Sequence, residues 1–510
     1  MYADYGFRGG AEYRANMLYI NPLDLSSEDY RKFTTIEHRL RLDTTFDYRD
    51  KVRLTMSADV LDGTLWGDNG DLGTTPEPTS GANVNTQNTN NARLCVKQTG
   101  PSSVDANSYT YAVCPGDSFT MRRAYGDVVT PIGLFRIGRQ PTTEGAAIAL
   151  NDGDGRKNRF GFANRGTTSD RVLFATKPLE AFKSSPDTST TRGTFFILAY
   201  DQNVLDKPQA LGDDLRTWIT AIRVLEPDLG GGAVRDFEGR IFHGHRWDRQ
   251  NGTAVNAFGS RLVGRVMRDF FVGFDAATFL GTTREVSEAF AVITNDPVRE
   301  QAIRQFGVRA VARYDRPKYT AYLEFDYASG DSDPQISTPL TQFRFADDTN
   351  VGLLMFKHAL AYQTARASAA AIELLKGLKA PTIPAEAIAS RGAFTNALAV
   401  YPQADFRPVR NLLLRGGMLV AWAPARVYDP VQSQQRRDGV QIQDDLINFA
   451  GGKPGTFYGV ELDGRVQYRF MDHFIFDLEG ALFFPGDVFQ DIDGKAARSM
   501  MIQGRTTFVF

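Results

Sequence analysis

The sequence predicts an all-β chain: one closed, antiparallel transmembrane β-barrel of about eighteen strands, with residues 1–510 forming a single domain. Three observations predict it. Apolar and polar residues alternate with the period of two that sends them to opposite faces of a strand. The alternating runs reach about 9–15 residues, beyond the mode of globular strands and long enough to cross a bilayer at a tilt. The links between runs alternate too, short polar turns against long polar loops, an asymmetry characteristic of membrane barrels.

Taken in order, the pattern places strands near 10–20, 34–48, 50–62, 117–130, 133–140, 170–179, 191–203, 214–226 and 233–247 in the first half. The second half continues with 256–269, 270–283, 304–316, 317–330, 392–405, 409–424, 456–470, 473–485 and 496–510. In 34–47, Ile36, Leu40, Leu42 and Phe46 oppose Glu37, Arg39, Arg41 and Asp43. In 52–60, Val52, Leu54, Met56, Ala58 and Val60 oppose Arg53, Thr55, Ser57 and Asp59. In 319–327, Tyr319, Ala321, Leu323, Phe325 and Tyr327 oppose Tyr322, Glu324 and Asp326. In 458–470, Tyr458, Val460, Leu462, Val466, Tyr468 and Phe470 are expected on the lipid face, against Glu461, Asp463, Arg465, Gln467 and Arg469. Aromatics such as Tyr19, Tyr48, Tyr314 and Trp422 fall near strand ends, where interfacial girdles form.

Short links fall at 48–51, 130–133, 315–318 and 471–473, and long loops at 62–116, 140–169, 285–303, 330–391 and 425–455. The loops are expected to be extracellular or folded into the lumen. The stretch 353–379 could begin as a nineteenth strand, but an odd strand number conflicts with the even count of single-chain bacterial barrels. Its continuation is rich in Ala and Leu, so 353–379 is read as a helix-containing loop segment. It either folds inward and narrows the lumen or packs on top of the barrel.

Composition removes several classes. No run is long and apolar enough for a transmembrane helix, and a net charge of -2 gives no electrostatic support for nucleic-acid binding. The only cysteines, Cys95 and Cys114, share one polar loop and are expected to form a disulfide in an oxidising compartment. No nucleophile elbow, phosphate loop or dinucleotide fingerprint is present, and no lipid-facing serine accompanies His38, so the chain is read as a non-enzyme without cofactor.

The inferred lumen face is charged. Arg39, Arg41, Arg53, Arg122, Arg136, Arg223, Arg240, Arg261, Arg265, Arg309, Arg313, Arg415, Arg465, Arg469 and Arg505 are expected to line it, with Arg14 beside them. Glu324, Asp326, Glu461 and Asp463 join them, as do Glu12, Glu37, Asp59, Glu238, Asp275, Asp477 and Glu479. Arginine dominates 216–313, and acid is concentrated at 324–326 and 461–479. Charges on opposite walls give a transverse field that favours polar solutes. The competing reading is a set of cross-strand salt bridges filling the wall. The 140–169 loop is expected to bring Arg156, Lys157, Arg159 and Arg165 to a constriction. Its Asp152 and Asp154, in Asn-Asp-Gly-Asp-Gly, resemble a fragment of a calcium loop but read better as an Asp/Gly turn. His243 and His245 share one face of a strand; lacking a third ligand, they read as polar residues near a strand end rather than a metal site.

Arg136-Ile137-Gly138-Arg139-Gln140, Asp170-Arg171-Val172, Tyr327-Ala328-Ser329-Gly330-Asp331 and His38-Arg39-Leu40-Arg41-Leu42 resemble segments of the alginate-export family of outer-membrane barrels. More distantly they resemble substrate-specific eighteen-stranded porins. The resemblance covers about a third of the chain and implies a monomeric channel in the bacterial outer membrane, among lipopolysaccharide. The terminal Phe510 is similar to the signal read by the outer-membrane assembly machinery, although Arg505 stands where that signal commonly has glycine. The functional expectation is passive diffusion of small hydrophilic solutes, anionic ones among them. The alternative is a secretion conduit for an acidic polysaccharide.

Overall fold

The computed structural model describes residues 5–25, 32–67, 96–99, 110–113, 119–142, 148–153, 158–162, 166–184, 189, 191–203, 215–249, 252–347, 349–439 and 442–510. The strands are β1 Tyr5–Asn21, β2 Phe33–Tyr48, β3 Val52–Gly67, β4 Val96–Thr99, β5 Thr110–Val113, β6 Thr120–Thr130, β7 Gly133–Pro141, β8 Thr168–Thr176, β9 Gly193–Asn203 and β10 Arg216–Leu229. They continue with β11 Val234–Asp248, β12 Thr253–Val266, β13 Phe270–Thr283, β14 Gln301–Asp315, β15 Tyr319–Ala328, β16 Ala397–Val409, β17 Leu412–Val427, β18 Gly455–Phe470, β19 Phe474–Pro485 and β20 Ser499–Val509. Strands β4 and β5 form a separate ladder; the other eighteen make one antiparallel sheet. It closes because β1 is hydrogen-bonded to β2 on one side and β20 on the other. The closure runs to the chain end, with Ala11 N–H donating to Phe510 O at 3.0 Å and Phe510 N–H to Ala11 O at 2.8 Å.

Strand β15 shows how the sequence makes this wall. Tyr319, Leu323 and Phe325 are 55%, 49% and 37% exposed, whereas Thr320, Glu324 and Asp326 are 4%, 5% and 0% exposed. A water-soluble sheet has the opposite distribution. The same inversion holds at Leu42, Ile137, Trp218, Ile241 and Leu462, all exposed, against buried Arg39, Asp201, Asp275 and Glu461. No helix among the described residues is long and apolar enough to cross a membrane.

The insert between β15 and β16 is the largest departure from a bare barrel. Within it a π-helical turn, Met355–Leu360, runs directly into α2, Ala361–Gly377. The first turns lie deep between the walls. Leu353, Leu354, Met355 and Phe356 pack in one apolar cluster with inward residues of the strands, including Leu18, Ile20, Phe33, Leu419, Tyr458, Phe483 and Met501. The later turns pack at the long-loop rim against α1, Glu285–Thr294, and α3, Ile383–Glu386, through Ala369, Ile372 and Leu375. The two placements expected for 353–379 are both realised, one at each end of the helix.

Several expectations are corrected. Tyr458 faces inward and is 1% exposed, not on the lipid face. The ladder shifts between Ala421 and Trp422, and Gly459 has φ +125°, so a bulge turns Tyr458 in while Phe457 takes the outer position beside Trp422. The expected strand 392–405 is β16, Ala397–Val409, because 392–396 belong to the insert. The loop expected from 62 starts later, since β3 extends to Gly67. The alternation of link lengths also breaks. The 177–192 link lies on the short-turn rim yet holds a 3-10 helix, Pro178–Phe182, and β11 joins β12 on the long-loop rim within residues 249–252.

Candidate functional site: the lumen and its constriction

Antiparallel pairing sets inward side chains of neighbouring strands side by side, and the observed register lines them into rows. One row runs Arg223↔Arg240↔Arg261↔Asp275↔Arg309↔Asp326 across β10 to β15. Most of its charges meet an opposite partner. Arg223 Nε lies 3.2 Å from Glu238, Arg261 Nη1 2.9 Å from Asp275, and Arg309 2.7 Å from both Glu324 and Asp326. The three arginines at its head nevertheless stand directly opposite one another, an arrangement that costs stability on an ordinary sheet.

Elsewhere the wall is a lattice of ion pairs. Asp59 gathers Arg41 and Arg122, each at 2.7 Å, and Arg39 at 3.9 Å, while Arg39 also reaches Glu12 at 2.8 Å. Arg136 pairs Asp127 at 2.6 Å, Arg53 pairs Asp47 at 3.0 Å, and Arg265 and Arg313 share Asp315 at 3.2 and 2.9 Å. Asp405 holds Arg415 at 2.7 Å, Arg465 lies 2.7 Å from Asp477, and Arg505 lies 3.1 Å from Glu479. Asp463 accepts a short hydrogen bond from Tyr401 Oη. Arg469 is exposed beside the short turn after β18. Two-point arginine–carboxylate contacts fix side-chain direction as well as charge.

Among the described residues, two loops occupy the interior. Glu461, on β18, aims its carboxylate at the start of the inserted helix: Leu353 and Leu354 N–H donate to Oε1 at 2.6 and 2.9 Å, and Met355 N–H donates to Oε2. The first N–H groups of a helix have no partner within it, and the negative charge suits the helix dipole. The wall therefore supplies the cap. Gly352 makes the close approach possible: it has φ +75°, and a Cβ there would meet Leu419 at 2.7 Å and Glu461 Oε1 at 2.8 Å.

The second loop joins β7 to β8. Arg159 donates to Gln403 Oε1 at 2.6 Å and Asp405 Oδ1 at 2.7 Å, and its carbonyl accepts from Arg465 at 2.9 Å and from Arg415. Gly161 N–H donates to Glu479 at 3.0 Å. The Phe162 ring takes the guanidinium groups of Arg14 at 4.0 Å and Arg505 at 4.8 Å over its face. The loops also hold each other: Ala346 N–H donates to Ile148 O at 2.7 Å, and Asn151 Nδ2 to Thr349 Oγ1 at 3.0 Å. Beside this junction a cleft opens between Arg14, Glu37, Lys357, His358, Gln503 and Arg505. Arg505 is 1% exposed, and its Nε and Nη1 find no hydrogen-bond acceptor among the described residues. Burial pushes the His358 imidazole, already beside Lys357, down to about 3.

No family model and no curated protein match the chain. Solved structures do. OccK9 (OpdG) of Pseudomonas aeruginosa is 8% identical over 98% of this chain and 98% of its own, with TM-score 0.50. OccAB1 of Acinetobacter baumannii is 8% identical over 99% of this chain and 96% of its own, also at TM-score 0.50. The outer membrane protein opdK of Pseudomonas aeruginosa is 10% identical over 99% of both chains, at TM-score 0.49. The chain shares the fold of OccK9 and OccAB1. That fold is a closed eighteen-strand antiparallel barrel with a helix in a loop.

Of the expected constriction residues, Arg159 is at the loop–wall junction, while Arg156, Lys157 and Arg165 lie outside the described residues, as do Asp154, Cys95 and Cys114. Asp152 belongs to a turn in which Gly153 N–H donates to Asn151 Oδ1 at 2.8 Å. The sequence reading missed Asp405, Gln403, Asp201 and Arg171, although Tyr401, Gln403 and Asp405 alternate with Pro402, Ala404 and Phe406 in the pattern used for other strands. Arg171 and Asp201 pair at 2.5 Å.

Proposed function

We propose that this chain is an outer-membrane channel for passive diffusion of small hydrophilic solutes, with a preference for anions. The observation that carries the reading is the inverted barrel itself: ionised side chains face an interior narrowed by two infolded loops, and apolar ones face outward. The arginines at 223, 240 and 261 stand opposite one another in the ladder, with Arg223 also paired to Glu238 and Arg261 to Asp275, and they offer a passing anion successive positive contacts. Arg505 beside the cleft supports the same preference. The residues named above as lumen-lining are those the solute would pass. The chain is read as a non-enzyme, in keeping with the channel reading.

The second reading, a conduit for an acidic polysaccharide, rests on the short alginate-export-like motifs. The apolar insert that fills one side of the barrel works against it, because a polymer needs an unobstructed bore. Reconstitution of the untagged chain in a planar bilayer tests the choice. Ohmic single-channel steps, with a reversal potential displaced toward chloride in a salt gradient, support the small-solute channel. Block by an acidic oligosaccharide, or no conductance at all, overturns it.

The remaining assignments belong to the same reading. The chain would sit as a monomer among lipopolysaccharide, inserted by the assembly machinery through its C-terminal strand, where Phe510 is exposed. Cys95 and Cys114 would form a disulfide: the β4–β5 ladder pairs Val96 with Val113, and the cysteines are the next residue on either side. Mass spectrometry of non-reduced peptides tests the bond.

A further inference from the structure

The structure adds to His243 and His245 the third group that their sequence spacing lacked. Both lie on the outer face of β11, with Ile241 on the same row of alternation and 56% exposed. Alternate residues of a strand stand about 6–7 Å apart on one side, a separation two imidazoles can bridge. On the neighbouring strand Asn256 pairs directly with His245, and its amide oxygen is shared: His243 Nε2 and His245 Nδ1 each lie 3.1 Å from Asn256 Oδ1. Two imidazole nitrogens and one amide oxygen thus converge from two strands.

An amide and two imidazoles clustered together stand out on a wall made mainly of apolar side chains. Their setting is aromatic. His245 stacks on Trp247 with centroids 5.6 Å apart, His243 lies 4.8 Å from Phe258, and Trp218 stands opposite His245 in the ladder. The cluster lies near the long-loop ends of β11 and β12, at the depth of the girdle, where water can complete a coordination shell.

We propose that His243, His245 and Asn256 bind a divalent transition-metal ion on the outer wall, with copper(II) held most tightly. Metal bonds of about 2.0–2.1 Å place neighbouring ligand atoms about 3 Å apart, close to the nitrogen-to-oxygen spacing seen here. Imidazole nitrogen with one oxygen and open positions suits copper and zinc, and copper(II) leads the divalent affinity order. On binding, each neutral ring carries its proton on its other nitrogen, His243 on Nδ1 and His245 on Nε2, so that a lone pair faces the ion in place of the contact with the amide oxygen. The site lies outside the lumen, so the inference is independent of the channel reading.

Titration of the untagged full chain in detergent micelles with copper(II) chloride tests it. The expected result is saturable, one-to-one quenching of tryptophan fluorescence, because Trp247 and Trp218 flank the site. Copper spin resonance should show coupling to two imidazole nitrogens. His243→Ala and His245→Ala should each weaken binding about tenfold or more, Asn256→Ala less, and His473→Ala not at all. His243→Gln and His245→Gln repeat the measurement with a side chain that keeps a polar contact to Asn256, should either alanine variant fail to fold. Non-saturating quenching, or histidine variants that titrate like the parent chain, overturns the proposal.

Discussion

Glu461 does for the inserted helix what a serine or aspartate does for a helix in a soluble protein, but from a different part of the chain and from the barrel wall. Three N–H groups of Leu353, Leu354 and Met355 converge on it. Glu461→Gln removes the charge and one acceptor oxygen and should weaken docking of the helix by about 1–3 kcal/mol. The checks are larger or noisier single-channel steps and faster amide exchange over 349–377. Gly352→Ala should act in the same direction through its positive φ and the missing room beside Glu461. Arg240→Gln, in the middle of the arginine run, should leave the fold intact and move the reversal potential toward cations. His358 gives a pH prediction. Its docked imidazole has a value of about 3 against an ordinary 6.5. Above 6.5 the ring is neutral whether docked or released; below it the released ring takes up a proton that the docked ring refuses until about 3. Docking should therefore weaken steadily as pH falls from 6.5, and open-channel noise should rise between pH 7 and 5. His358→Gln should flatten that dependence while Arg14, Glu37, Lys357 and Arg505 remain around the cleft. Inward arginines were legible at this scale because alternation alone locates them. Tyr458 was not, because a single bulge at Gly459 reverses every residue beyond it and leaves no mark on composition.

At the scale of elements, strand count and order were legible, and the insert was legible as a helix but not in its depth. A run such as 353–366 is apolar for the same reason whether it faces lipid, a rim helix or the lumen; only the partners differ. Those partners, Leu18, Ile20, Phe33 and Phe483, are inward apolar residues of strands whose other inward residues are charged. A single sequence gives no signal for which inward positions meet water and which meet a loop. The β7–β8 loop is tied by one side chain, Arg159, to β16, and by its carbonyl to β17 and β18. Arg159→Ala should release this loop, and the expected outcome is a higher conductance with unchanged heat-dependent mobility on denaturing gels. Excision of 355–377 should raise conductance further and leave the eighteen-strand sheet intact by circular dichroism.

For the whole molecule, the inversion of inside and outside was the most legible feature, because it is written in every second residue of most strands. Helices at the long-loop rim and ion pairs through the wall could be stated as alternatives only, since both a transverse field and a salt-bridge lattice use the same residues. The observed wall is mainly a lattice, with one stretch of like charges set into it. The two ends of the chain also meet: β1 and β20 lie side by side, and residue 510 is bonded to residue 11. The ring is thus closed by β1 and β20. Until those two strands pair, the sheet keeps two raw margins of unpaired backbone, which the cell must shield from sticking to its neighbours. A chain stopped at residue 498 would keep both margins for its whole life, and it should be cleared by periplasmic proteases rather than accumulate as a slightly smaller ring.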